Sequence, residues 1–164
     1  MTRVNLKIIL FISLIYLSNS GVSQQLNSFA LEINESYEIT AENMYIEREN
    51  HIIAFSGNVE LKQGIARLKT DQLELFFKYN FDEENFYKMS ASGNIIIKNN
   101  DLTSIYGNFA NYSVMEKKLI MTDGVILENQ MSTIKGNKLI LDLNSGKIEI
   151  FDDELDQELS LIHI

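Results

Sequence analysis

FSGNVELKQGIARLKTDQLEL, from Phe55 to Leu75, recurs twice further along the chain. MTDGVILENQMSTIKGNKLIL, from Met121 to Leu141, falls on it without a gap: Val59 on Val125, Leu61 on Leu127, Leu68 on Ile134, Asp71 on Asn137, Leu73 on Leu139 and Leu75 on Leu141. Between them ASGNIIIKNNDLTSIYGNFANY, from Ala91 to Tyr112, repeats the pattern with one inserted loop residue. Ile95, Ile97, Ile105, Asn108, Ala110 and Tyr112 take the same places. Val59-Glu60-Leu61-Lys62 and Leu73-Glu74-Leu75 alternate apolar with polar, the period of a strand with one dry face. Helical spacing is nowhere sustained. Self-similarity at this period signals stacked supersecondary units that bury one shared core. The expected fold is an all-β stack built from three repeats, with turns at Gln63-Gly64, Asn99-Asn100 and Asn129-Gln130.

Outward from the repeats, Ile39, Met44 and Ile46 match Ile134, Leu139 and Leu141, so the stack opens on half a unit. Before it, Phe29, Leu31 and Ile33 alternate with Ala30, Glu32 and Asn34, which predicts a first strand. The link from Leu75 to Gly93 is longer than its counterparts, and NFDEENFY, from Asn80 to Tyr87, reads as a projecting loop. Lys147 to Phe151 is the expected last strand, and Leu31, Ile33, Ile148 and Ile150 mark two open edges. Unpaired strand edges recruit further strands.

The chain begins with Arg3 and Lys7, an apolar run from Ile8 to Leu17, and small residues Ser18, Ser20, Gly21 and Ser23. This is the layout of a secretory signal cleaved after Ser20 or Ser23, and ten apolar residues fall short of the ~20 that cross a bilayer. An uncleaved membrane anchor is the alternative. The expected organisation is a signal segment over 1–23, one β domain over 24–151 and an acidic tail over 152–164. Removing 23 residues from 164 leaves 141, enough for one domain with a core.

All 23 acidic residues remain in that mature chain, against 12 basic ones once Arg3 and Lys7 are gone (14 − 2). Such an acidic balance argues against nucleic acid as a partner. With no Cys and no Pro, stability comes from packing and uninterrupted strand ladders.

Catalytic patterns are missing: there is no phosphate-cradling Gly-rich loop, no HExxH, no CxxC and no EF-hand loop. His51 falls in an expected turn and His163 near the end, so neither suggests a metal or nucleophile site. Asp71 with Glu74 could pair as carboxylates, but Asn108 and Asn137 replace Asp71 in the other copies. No enzyme, no metal and no cofactor is expected.

The first copy, and still more MEKKLIMTDGVILENQMSTIKGNKLILDL from Met115 to Leu143, resemble the LptA/OstA family of periplasmic lipopolysaccharide-transport proteins. The likeness runs from about Ile39 to Phe151; Asp123-Gly124 stands where the family often has Gly-Asn, and the C-terminal end is acidic and shorter. The resemblance implies an open β-jelly roll of stacked antiparallel strands whose apolar interior carries the acyl chains of lipopolysaccharide (lipid A) from inner to outer membrane. It also implies head-to-tail contacts with further copies and with inner-membrane and outer-membrane components of the same fold, in the periplasm of a Gram-negative cell. The interior series expected to meet lipid is Val59, Leu61, Leu68, Leu73, Leu75, Ile95, Ile97, Ile105, Tyr112, Val125, Leu127, Ile134, Leu139 and Leu141. Two other readings stay open from the residues: an anchored member of the same transport chain, and a secreted structural β-stack with a dry core and no ligand.

Overall fold

A computed structural model describes residues 4–8, 37–82, 85–99 and 103–152. Every element in them is a strand. β1 is Val4–Ile8, β2 Tyr37–Ala41, β3 Asn43–Glu47, β4 Ile52–Gln63, β5 Ala66–Phe77 and β6 Phe86–Asn99. β7 is Thr103–Ser113, β8 Lys118–Asn129, β9 Thr133–Asp142 and β10 Ile148–Phe151. They form one antiparallel meander in the order β1-β2-β4-β5-β6-β7-β8-β9-β10, with β3 also paired to β4. The three repeats are the hairpins β4-β5, β6-β7 and β8-β9, and the opening half unit is β2 with β3.

Five strand pairs slip register near their middles: at Ser56/Val59, Lys69/Gln72, Ser92/Ile95, Tyr106/Phe109 and Thr122/Val125. Every second strand carries two consecutive left-handed residues there: Gly57-Asn58 in β4, Gly93-Asn94 in β6 and Asp123-Gly124 in β8. A pair of positive φ angles bends a strand without reversing it. Gly-Asn and Asp-Gly dipeptides are usual turn residues between strands. Here they are corners inside strands, and the reversals lie elsewhere, as at Gly64 (φ 55°).

Each corner divides its strand into two halves. Inward side chains from both halves are buried in a single cluster that includes Ile39, Val59, Leu68, Ile95, Ile105 and Val125 from one side of the corners and Phe55, Leu73, Leu75, Met121, Leu139 and Leu141 from the other. One sheet layer cannot bury its own face, and no described helix covers it, so the halves cover each other as two walls. The result is an open jelly roll, bent at the corners, as expected. Intervening strands turn the same corner with one polar residue, Asp71, Asn108 or Asn137, and their alternation slips by one there: Leu68 and Thr70 point inward, then Leu73 and Leu75.

Differences from the sequence reading lie at the margins. The loop between β5 and β6 ends before Phe86, so Phe86 and Tyr87 are strand residues. Phe77 stacks edge-on against Phe81 at 5.5 Å and packs Phe86 at 5.7 Å, which fixes the loop's base. The backbone of Val4–Ile8, inside the segment read as a signal, pairs with β2 from Val4 opposite Ala41 to Ile8 opposite Tyr37. The strand expected at Phe29 to Ile33, with Leu31 and Ile33, lies outside the described residues, as do His163 and most of the acidic tail.

Candidate functional site

Register places the inward residues of successive strands directly opposite one another, and the outcome is three apolar rows running along the stack. In the first wall Ile39, Leu61, Leu68, Ile97, Ile105, Leu127 and Ile134 follow strand by strand. In the second wall one row is Met44, Phe55, Leu73, Ala91, Ala110, Met121, Leu139 and Ile150. The other starts at the exposed Ile46 and runs inward through Ile53, Leu75, Met89, Tyr112, Leu119, Leu141 and Ile148. At ~4.8 Å per strand, rows of seven or eight positions reach roughly 30 Å.

Val59, Ile95 and Val125 sit beside the corners and are almost fully buried; Val59 lies opposite Thr70, while Ile95 and Val125 lie opposite Gly107 and Gly136. Leu73, Ile105, Met121 and Leu139 are 0% exposed. Leu61, Ile97, Leu127 and Tyr112 are half-buried and pack on the core from nearer the hairpin turns. Burial pushes the Tyr112 phenol above its ordinary pKa, so this one polar tip in the rows stays neutral. The inner face thus carries no charge along any of the three rows.

Ile134 departs from the expected series: it is 47% exposed and outside the core cluster. β10 pairs only with Lys138 to Leu141, so Thr133 to Lys135, at the start of β9, have no strand paired on their outer side among the described residues. Ile148 and Ile150, expected at an edge, lie in the last strand with their side chains half-buried against the core.

Several interior residues are absent from the sequence series: Tyr37, Ile53, Phe55, Phe77, Ala91, Leu119 and Met121. Ile53 and Phe55, like Leu119 and Met121, alternate as clearly as Val59 and Leu61, but outward Ile52 and Ile120 blur the pattern. Two-residue corners preserve the phase of alternation across β4 and β8, which is the signal that would have found them.

The corners are satisfied in pairs. Asn58 Nδ2 donates to Glu42 Oε1 at 2.6 Å, Asn94 Nδ2 to Asp71 Oδ2 at 2.8 Å, Asn108 Nδ2 to Asp123 Oδ2 at 3.3 Å and Asn137 Nδ2 to Asp152 Oδ1 at 3.3 Å. Asp71 is therefore a corner residue. Thr70, buried beside it, donates its hydroxyl to the Ser92 carbonyl at 2.8 Å, and among the described residues no buried side-chain polar atom lacks a partner. No group of three His, Cys, Asp or Glu side chains is gathered to hold a metal among those residues.

A family profile described as LptA/(LptD N-terminal domain) LPS transport protein matches residues 38–147. An uncharacterized protein of Rickettsia prowazekii (strain Madrid E) is 28% identical over 106 residues, covering 63% of this chain and 72% of its own. Among solved structures, LptH of Pseudomonas aeruginosa, titled the LptA homologous periplasmic component of the lipopolysaccharide transport device, superposes with a TM-score of 0.61 at 16% identity. That likeness covers 74% of this chain and 85% of LptH, and it shows the shared fold.

Proposed function

The chain belongs to the LptA and LptD N-terminal domain family of lipopolysaccharide transport proteins, and on that footing we propose that it is a periplasmic bridge whose interior rows carry lipid acyl chains. Membership in a lipopolysaccharide transport family supports a protein that is not an enzyme. The observation that supports this most is the register: three uncharged apolar rows follow the stacking axis from strand to strand without interruption.

Each methylene left in water costs ~0.8 kcal/mol, so an acyl chain of about a dozen carbons costs on the order of 10 kcal/mol to cross an aqueous compartment exposed. A lining that repeats every strand offers that chain nearly the same surroundings at each step, so no single position traps it. Because the middle of the interior is closed to water, a lipid enters by parting contacts between the two walls. The corners, held by their amide–carboxylate pairs, join the two walls along one side, so the walls part at the side away from the bend.

Direction must come from an energised partner, and assembly from the ends. β3, the start of β9 at Thr133 to Lys135, and β10 each lack an outer strand neighbour among the described residues. Pairing one copy's last strands with the next copy's first is a heterologous contact that does not close, and so extends as a filament.

A photo-crosslinking residue placed at Leu61 or Leu127, on the half-buried part of the first row, should capture lipopolysaccharide in cells, while one at Glu74 on the outer face should not. Equal capture at inner and outer positions, or none at either, would reject the carrier in favour of a β-stack without ligand.

A further inference from the structure

We propose that the outer face of β4, β5 and β6 at their shared rim, carrying Lys62, Arg67, Lys69 and Lys98, binds the phosphates of the headgroup whose acyl chains lie against Leu61, Leu68 and Ile97 on the reverse of the same strands. The inference rests on the carrier reading above and adds the part of the ligand that the apolar rows cannot hold.

Register puts Lys62 directly opposite Arg67, and Arg67 directly opposite Lys98. Like charges so placed, with Cβ atoms about 5 Å apart, destabilise a sheet. The carboxylates beside them are Glu60, 3.5 Å from Lys62 and 3.9 Å from Arg67, and Glu38, opposite Lys62. Lys69 stands opposite Glu60. Among the described residues, four cations against two carboxylates make a positive patch on a chain whose formal charge is −9.

The repeat supplies an internal control. In the third copy Glu128 and Thr133 occupy the places of Lys62 and Arg67, and in the second Ser104 occupies that of Arg67. The same row continues from Lys98 through Ser104 and Glu128 to Thr133. Strand geometry therefore does not require cations here, and they are confined to one end of the row. Their position suits a lipid that is half inside. Leu61 and Ile97 are the last inward apolar residues of β4 and β6 and both are half-buried; past Ile97 the inward series of β6 ends on Asn99, a buried polar side chain. A headgroup emerging past them meets the rim where long Lys and Arg side chains, exposed at Arg67 and Lys98, can fold over the edge. Arg offers a phosphate two parallel N–H donors and Lys a point charge.

The test compares purified protein with the K62Q/R67Q/K98Q variant for binding to diphosphoryl lipid A and to the same lipid enzymatically dephosphorylated, each in neutral detergent micelles. All three substitutions are on the outer face and relieve like-charge contacts, and thermal unfolding confirms that the variant remains folded. The unaltered protein should prefer the phosphorylated lipid by roughly ten- to a hundredfold, a preference that salt weakens. The variant should bind both forms equally, at the weaker affinity. A variant that retains the preference overturns the phosphate site while leaving the carrier intact. Unaltered protein that binds neither lipid overturns both. Phosphatidylglycerol vesicles without lipid A that compete as well as diphosphoryl lipid A overturn the headgroup assignment in favour of a membrane surface.

Discussion

Asp71 lies over Gly93: its Oδ2 accepts a hydrogen bond from Asn94 Nδ2 at 2.8 Å and stands 2.5 Å from where a Cβ on Gly93 would sit. Gly93 has φ +82°, so two constraints meet at one residue, a left-handed backbone and a carboxylate in the place of a side chain. The same arrangement holds at Gly57 (φ +79°), where Glu42 Oε2 is 2.5 Å from the would-be Cβ. In the third copy the partners exchange places: the carboxylate Asp123 is in the corner and the amide Asn108 is on the strand before it. What the bend demands is one amide and one carboxylate facing each other, in either order.

Gly93→Ala should therefore destabilise the fold by about 2–4 kcal/mol, combining left-handed strain with displacement of Asp71. Gly124→Ala should cost less, about 1 kcal/mol, since Gly124 (φ +67°) has only Asn108 Nδ2 near its would-be Cβ, at 3.7 Å. Urea unfolding of both variants checks the order, and equal losses would refute the carboxylate's part.

Leu73→Ala and Leu139→Ala, both at 0% exposure, should each lose about 2–5 kcal/mol. Ile134→Ala, at 47% exposure where β9 has no partner strand on its outer side, should stay within about 1 kcal/mol. Denaturation midpoints separate the two classes, and a large loss at Ile134 would mean that this edge is covered in solution.

Asp142 closes the turn into β10. Its carboxyl is held below the usual carboxylate range first by the Ser145 N–H, which donates to Oδ1 at 3.0 Å, with further help from the Asn144 N–H at 2.9 Å, the Ser145 hydroxyl and Lys118. A depressed folded pKa means that the ionised form supports the fold above the unfolded value, and that this support is lost as pH falls through the folded one. Asp142→Asn should be less stable than the parent near neutrality, and the gap should close in acid below the ordinary carboxylate range. Urea midpoints across that interval test it; a gap independent of pH would assign the effect to turn geometry alone.

If the open ends pair as proposed, the mass seen by light scattering should grow with protein concentration. A constant monomer mass at the highest concentration would remove end-to-end assembly and leave the single-copy groove untouched.

By itself the sequence determined the strands, their apolar phase and their threefold repetition, because period-two alternation and a matching polar residue at each corner are local facts of the chain. Asp71, Asn108 and Asn137 were legible as equivalent positions for that reason. Only the tertiary structure decided that Gly57-Asn58 and its counterparts bend strands and do not end them, since a left-handed pair looks the same in a turn and in a bulge until the partner strand is in register. It also decided that Ile134 lies outside the core, because its exposure depends on β10 being too short to reach it. The alignment of Lys62, Arg67 and Lys98 likewise depends on which residues stand opposite one another across three strands, and hairpin closure sets that where spacing along the chain does not.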